Sequence, residues 1–380
     1  MFLKNLKLTS FRNYSKLEIV FNQTTLLIGE NAQGKSNFLE AIYFLATTKS
    51  PRAEKDIQLI KDGEVGCFVE GEVLETGPVT RQPHDLPTTL ASAGPHHGAT
   101  RLVPPVEDST KLEIGMQLRE EGNGLEKRVR VNGVPRRSVD YIGNLVVVHF
   151  SPEDINLVTG PPALRRWHID LCLAQIDKLY KNSLTHYHEA VVSRNRILKR
   201  IKEGLARTDE LTFWSKQVVD FGIVVSEKRR LFFQSLNDLK NESQFRFDYL
   251  ESVLTAERLQ EYLGREIAAA NTLIGPHRDD FVFHNKGKNM AHFGSRGEQR
   301  TAVLDLKLAE LQFIKQFKNT CPILLLDDVF SELDTNHREY IISAVSGQQT
   351  IISAVENEQI PAGFMKKVQK INVEKGSITF

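Results

Sequence analysis

Residues 29–37 read Gly29-Glu30-Asn31-Ala32-Gln33-Gly34-Lys35-Ser36-Asn37, a glycine-bounded loop that closes on a lysine and a hydroxyl. Gly29 and Gly34 permit a tight turn whose backbone N–H groups face phosphate oxygens; Lys35 reaches the outer phosphates and the Ser36 hydroxyl ligates magnesium. The pattern predicts a nucleoside triphosphate site. Far downstream, the apolar run 323–326 ends in Asp327 and Asp328. That placement predicts Asp327 as the magnesium carboxylate, acting through water, and Asp328 as the catalytic group that polarises the attacking water. Aspartate is one methylene shorter than glutamate, which predicts slow hydrolysis suited to a switch. Ser295-Arg296-Gly297-Glu298 precedes Val303, Leu306 and Leu311 and reads as a helix capping box. A serine and a glycine N–H at a helix N-terminus also make an anion site, and both readings can hold together.

These groups need elements to carry them. Thr24–Ile28 is a short apolar, β-branched run, and Phe38, Ile42 and Leu45 recur at helical spacing, so the loop joins a buried strand to an amphipathic helix. The run 323–326 reads as a second buried strand, with Asp327 at the carboxyl end where parallel sheets bind ligands. Leu17, Ile19 and Phe21 alternate, as do Leu112, Ile114, Met116 and Leu118, and Val129 and Val131 lead into an Asn132-Gly133 hairpin turn. An antiparallel sheet attached to the loop-bearing core is expected. Residues 145–148 read as a further buried strand, and Ser151-Pro152-Glu153-Asp154 as a helix start. From about Pro162 to Gly264 the pattern changes character: Leu211, Trp214, Val218, Phe221, Val225, Phe232, Leu236 and Leu239 form a heptad-like seam, read as the core of a helical lobe.

The resulting expectation is an α/β chain in which residues 1–160 and 271–380 build a phosphate-loop lobe with an attached antiparallel sheet, and residues 161–270 a mainly helical second lobe. Residues 77–108 hold six of the fourteen prolines and read as a flexible insert.

Bulk composition narrows the function less. Across 380 residues, 49 Lys and Arg face 48 Asp and Glu, so any nucleic-acid affinity must come from local patches. Arg128, Arg130, Arg136 and Arg137 make one candidate; Arg194, Arg196, Lys199, Arg200 and Lys202 make another. Either also reads as a solvated charged face. Cys67, Cys172 and Cys321 lie too far apart for a zinc or disulfide pattern and read as free thiols of a reducing cytosol. Neither an export signal nor a membrane span is recognised.

Leu6-Lys7-Leu8-Thr9-Ser10-Phe11-Arg12-Asn13-Tyr14, the loop 29–37, Phe150-Ser151-Pro152-Glu153-Asp154, Leu273-Ile274-Gly275-Pro276-His277-Arg278-Asp279-Asp280, residues 295–301 and residues 324–334 together resemble the RecF family. The resemblance spans nearly the whole chain. It implies an ABC-type ATPase similar to the heads of structural-maintenance-of-chromosomes (SMC) proteins, cytoplasmic, using ATP and Mg2+ and dimerising on ATP. It also implies binding to single-stranded and gapped duplex DNA, DNA-dependent hydrolysis, and action with RecR and RecO in loading RecA. By the same resemblance, Ser295, Arg296, Gly297 and Glu298 form the signature that reaches the γ-phosphate held by a second protomer, and Asp334 belongs to the loop along that seam. Two departures stand out: the long insert, and Thr350-Ile351-Ile352-Ser353-Ala354-Val355-Glu356 in place of a threonine-rich strand end, where no γ-phosphate sensor is assigned. A transporter-type ABC subunit and a nucleotide-stabilised scaffold are the competing readings. The long helical stretch between the motifs speaks against the first.

Overall fold

The computed structural model describes residues 1–75, 109–119, 124–239, 244–332, 347–355 and 368–380. The insert 77–108, Asp334 and Glu356 lie outside the described residues. At the centre is a six-stranded sheet in the order Ser377–Thr379, Gln369–Glu374, Thr24–Ile28, Thr350–Ala354, Ile323–Asp327, Val147–Phe150. All neighbours are parallel except the terminal hairpin pair. Strands covered on both faces need apolar side chains in both directions, which is why the sequence shows continuous runs here. Their period of two divides them cleanly. Leu26, Leu324, Leu326 and Ile352 enter one core; Leu27, Ile323, Leu325 and Ile351 enter the other.

The second of these cores lies against a six-stranded antiparallel sheet, ordered Tyr14–Val20, Phe2–Phe11, Gly66–Leu74, Ser109–Leu118, Leu125–Val131, Val134–Arg136. Asn132 and Gly133 make its last turn with φ of 52° and 76°, as an Asn-Gly hairpin requires. The helix Lys35–Thr47 is held between the two sheets. Its sequence suggests one apolar face, yet Phe38, Leu39, Ala41, Ile42, Tyr43, Phe44, Leu45 and Ala46 are all buried. Two sheets, rather than one, claim its surface.

On the other face pack the helices Arg296–Lys318 and Pro162–Ile176 and the end of Thr212–Asp238. Leu211, Val218, Val225 and Phe232, seven residues apart, are buried, while Trp214 and Phe221 are half-buried. The seam is core, and its middle packs on Tyr187, Ala190 and Val191 of the helix Lys178–Lys202. A small sheet, Lys288–Asn289, Asp280–Asn285, Phe245–Leu250, ties this helical stretch to the chain that follows it. At Ser151 the expected helix start is present, with Ser151 N–H donating to Asp154 at 2.8 Å; it opens a 3-10 turn, Pro152–Ile155, that runs on into one α-helical turn, Asn156–Thr159.

Residues 275–280 form the joint of the helical stretch. The guanidinium of Arg229, 1% exposed, donates to Asp279 at 2.7 Å, Asp170 at 2.6 Å, the Pro276 carbonyl at 2.8 Å and Tyr180 at 3.0 Å. Asp279 also accepts from the Tyr249 hydroxyl and from Ser252 N–H, and Asp280 takes a two-pronged pair from Arg165 at 2.6 and 2.8 Å. His277 Nε2 lies 3.0 Å from the Thr272 carbonyl, which can only accept, so Nε2 carries the proton and Nδ1 accepts from Tyr187 at 2.6 Å. Both ring nitrogens are thus committed to the neutral form. Burial, with Arg278, His188 and Arg166 nearby, pushes His277 down to about 4 from 6.5. A depressed imidazole stabilises the fold fully above 6.5 and loses that contribution as pH falls towards 4. Between pH 7 and pH 4, wild-type unfolding free energy should fall about 3 kcal/mol more than that of His277→Gln. Denaturant midpoints of both chains across that range check it; parallel pH profiles would refute the assignment.

Candidate functional site: a phosphate loop facing a buried carboxylate

The loop 29–37 leaves the carboxyl end of Thr24–Ile28 and enters the helix Lys35–Thr47 through Gly34, whose φ of 122° is open to glycine. A Cβ there would lie 2.6 Å from the Asn13 side-chain amide. Glu30, Asn31 and Ala32 form the exposed crown, Ala32 with φ of 64°. The Lys35 ammonium is turned into the loop, donating to the carbonyls of Gly29 at 2.6 Å and Glu30 at 2.8 Å. Burial pulls it below the usual lysine range, and Asp328 and Asp327 oppose that pull.

Next to it, Ser36 Oγ donates to Asp327 Oδ1 at 3.0 Å, joining two residues far apart in sequence. Asp327 is 4% exposed at the end of its strand. The parallel register sets Ser353 of the intervening strand directly beside it. Ser353 Oγ donates to the same Oδ1 at 2.6 Å and accepts the Asp328 N–H at 2.9 Å. Asp328 takes φ of 48°, so the chain turns sharply once the strand ends. The sequence assigns no role to Ser353, where residues 350–356 stand only as a departure from a threonine-rich strand end; the strand order is what places it between loop and acids.

The remaining candidates fall elsewhere. Ser295, Arg296, Gly297 and Glu298 are exposed at the start of the helix Arg296–Lys318. The capping box is realised, with Ser295 N–H and Oγ each 2.8 Å from Glu298 and Glu298 N–H donating back at 3.3 Å. Hydrogen bonding from the Ser295 backbone lowers the Glu298 carboxyl. Gln299 points inward and donates to the carbonyls of Met290 and Gly294, which fixes the entry to the helix. Asn37 donates to Asn13 at 2.9 Å rather than lining the crown. Arg12, known from sequence only as part of a motif, grips the buried Glu40 at 2.7 and 2.9 Å and so ties the first strand to the loop helix.

One basic patch is corrected. Arg194 is 1% exposed and donates to Glu266 at 2.6 Å, Thr272 at 2.9 Å and Ser215 at 3.1 Å, so it is an internal strut. Its helix is amphipathic, and Arg194 falls on the inner face, where a polar pocket receives it. Arg196, Lys199, Arg200 and Lys202 remain on the surface, as do Arg128, Arg130, Arg136 and Arg137.

A glycine-hinged loop at a helix N-terminus, an inward lysine, and a serine and a carboxylate sharing one hydrogen bond are the donor set for a triphosphate with a hard divalent cation. Mounted on a parallel sheet with a flanking antiparallel sheet, this site defines an ABC-type ATPase built like an SMC head. The sequence matches the family described as RecF/RecN/SMC N terminal domain over residues 2–379. A DNA replication and repair protein RecF from Agathobacter rectalis is 33% identical over 100% of this chain and 99% of its own. The solved structure of the recombination mediator protein RecF with ATP, of the RecFOR pathway, superposes with a TM-score of 0.80 at 28% identity, covering 100% of this chain and 98% of that one. An SMC head domain from Pyrococcus furiosus shares the fold, with a TM-score of 0.50 at 16% identity over 100% and 95% of the two chains. This chain belongs to the RecF family of DNA replication and repair proteins.

Ser353→Ala would strip one donor from Asp327 and leave the Asp328 N–H without its acceptor. Losing a buried partner costs about 1–3 kcal/mol. Urea unfolding should show a lower midpoint with unchanged slope; an unaltered midpoint would mean that the bridge contributes nothing.

Proposed function

We propose that this chain is a slow, DNA-dependent ATPase of recombinational repair and replication that acts as an ATP-gated clamp. The observation that carries the reading is the convergence of Lys35, Ser36 and Asp327 in one site, with the serine and glycine of 295–298 exposed at the start of a different helix. Two such surfaces complete each other only when a second copy presents its signature. In this reading the backbone of Gly29, Glu30, Asn31, Ala32, Gln33, Gly34 and Asn37 cradles ATP, and Lys35 neutralises its outer phosphates. Ser36 and Asp327 would hold Mg2+, which would supply positive charge to offset that of the triphosphate. Asp328 accepts the proton of the attacking water and is the catalytic residue with Lys35. Ser295, Arg296, Gly297, Glu298 and Asp334 belong to the seam with the partner copy.

The ATPase lobe then comprises 1–160 and 271–380, and 161–270 is the helical lobe. Single-stranded and gapped duplex DNA are the proposed partners, contacted by the exposed arginines and lysines. RecR, RecO and RecA act with it in the cytoplasm. The names of its relatives, which place RecF in replication, repair and the RecFOR pathway, support this reading. Among the described residues no helix is long and apolar enough to cross a membrane.

Asp328→Asn keeps the shape and loses the base. It should bind ATP and Mg2+ normally, hydrolyse at least about tenfold more slowly and accumulate as the ATP-bound dimer. Calorimetry, turnover and sedimentation measure the three properties. Loss of nucleotide affinity together with turnover would instead place Asp328 in the metal site or the fold.

Ser295→Arg separates the two roles of the signature. A cation at the seam should leave ATP binding by the monomer intact, abolish ATP-induced dimerisation in sedimentation velocity, and weaken ATP-dependent binding to a gapped duplex. Loss of the cap alone predicts only a stability decrease of about 1 kcal/mol. A variant that still dimerises at the wild-type concentration would defeat the clamp reading.

A further inference from the structure

The loop 29–37 is gripped from outside by two turns that lie at opposite ends of the chain. From the N-terminal side, Asn13 Nδ2 donates to the Gln33 carbonyl at 2.9 Å, while its Oδ1 accepts from Asn37 at 2.9 Å. Tyr14, fully buried, donates its hydroxyl to the Gly34 carbonyl at 2.9 Å. From the C-terminal side, Gly376 N–H donates to the same Gln33 carbonyl at 3.0 Å, and Lys375 N–H to Gln33 Oε1 at 2.8 Å. The two turns also touch each other. Gly376 has φ of 74°, and a Cβ there would lie 2.3 Å from the Asn13 carbonyl oxygen.

The chemistry of the loop gives these contacts a purpose. A phosphate cradle works when N–H groups face the anion and carbonyl oxygens face away, since an inward carbonyl repels phosphate. A free loop of this length samples both orientations, and ordering it on binding costs affinity. Gln33 is the hinge of the loop, next to the left-handed Ala32 and Gly34. Two donors from outside hold its carbonyl away from the cradle.

We propose that Asn13 and the turn of Lys375 and Gly376 form a clamp that presets the phosphate loop in its binding shape and so sets nucleotide affinity. They are positioning residues that act through Gln33 and do not touch phosphate. The inference rests on the nucleotide-binding reading above and adds to it a contribution from the chain's last hairpin.

The test compares the full-length wild type with Asn13→Ala and Gly376→Ala. Three quantities are read: equilibrium binding of a fluorescent ATP analogue, KM and kcat for ATP, and the thermal midpoint without nucleotide. The clamp predicts Kd and KM raised about five- to tenfold in each variant, with kcat at saturation within about threefold of wild type. A lowered midpoint with Kd and KM within twofold of wild type would overturn it, because the contacts would then be structural only. Should Gly376→Ala be insoluble, Asn13→Ala decides alone. A wild-type chain that fails to bind the analogue refutes the nucleotide reading, and the clamp with it; normal wild-type binding with unaffected variants refutes the clamp and leaves that reading standing.

Discussion

The buried carboxylate of Asp327 is the constraint on which the site depends. A carboxylate at 4% exposure is expensive unless donors surround it, and its two side-chain donors, Ser36 and Ser353, come from different elements. Satisfying it requires the loop helix, the strand Ile323–Asp327 and the strand Thr350–Ala354 to end at the same level. The parallel register delivers that alignment, with Asp327 opposite Ser353 and Ala354 opposite Ile28. The central position of Thr350–Ala354 therefore follows from electrostatics as well as from apolar packing. A strand that slipped by one residue would exchange its two cores and also orphan the acid.

A second buried charge, Arg229, does for the helical stretch what Asp327 does for the sheet. Its partners come from Pro162–Ile176, from Lys178–Lys202 and from residues 276 and 279, so one guanidinium fixes three segments against the helix Thr212–Asp238. Removing any one carboxylate would leave the cation under-compensated in a dry setting, a larger loss than an exposed ion pair could produce. The run 275–280, read from sequence as a family mark, thus has a structural task. Arg194 with Glu266 repeats the device near the far end of the same helices.

How far the sequence could be read depended on whether a residue's partner was near in sequence. The phosphate loop, the Asn132-Gly133 turn and the capping boxes at Ser151 and Ser295 are local, and residue type alone announces them. The apolar strands were legible because burial on two faces leaves a continuous run. What escaped was set by packing between distant segments. Ser353 matters because of strand order, Arg194 is internal because of helix phase, and the helix Lys35–Thr47 is buried nearly all round because two sheets enclose it. A basic cluster counted along the sequence cannot distinguish an inward strut from an outward patch; the period of the helix must be applied residue by residue.

At residues 295–298 the observed capping box and the proposed signature role need not compete. A capping box satisfies two of the backbone groups at a helix start through the Ser295 and Glu298 side chains. It leaves Arg296 and Gly297 exposed, with further N–H groups of that first turn facing outward at the positive end of the helix dipole. Glu298, ionised and hydrogen-bonded to Ser295, offsets part of that positive field while the surface is alone. An arriving phosphate would compete with the Glu298 carboxylate for the Ser295 hydroxyl, so the cap that stabilises the isolated chain also weakens its capture of an anion. Such a surface binds tightly only when the phosphate is already neutralised by a lysine and a cation on the opposing face. In the proposed clamp, that requirement would make the seam depend on a loaded site across it.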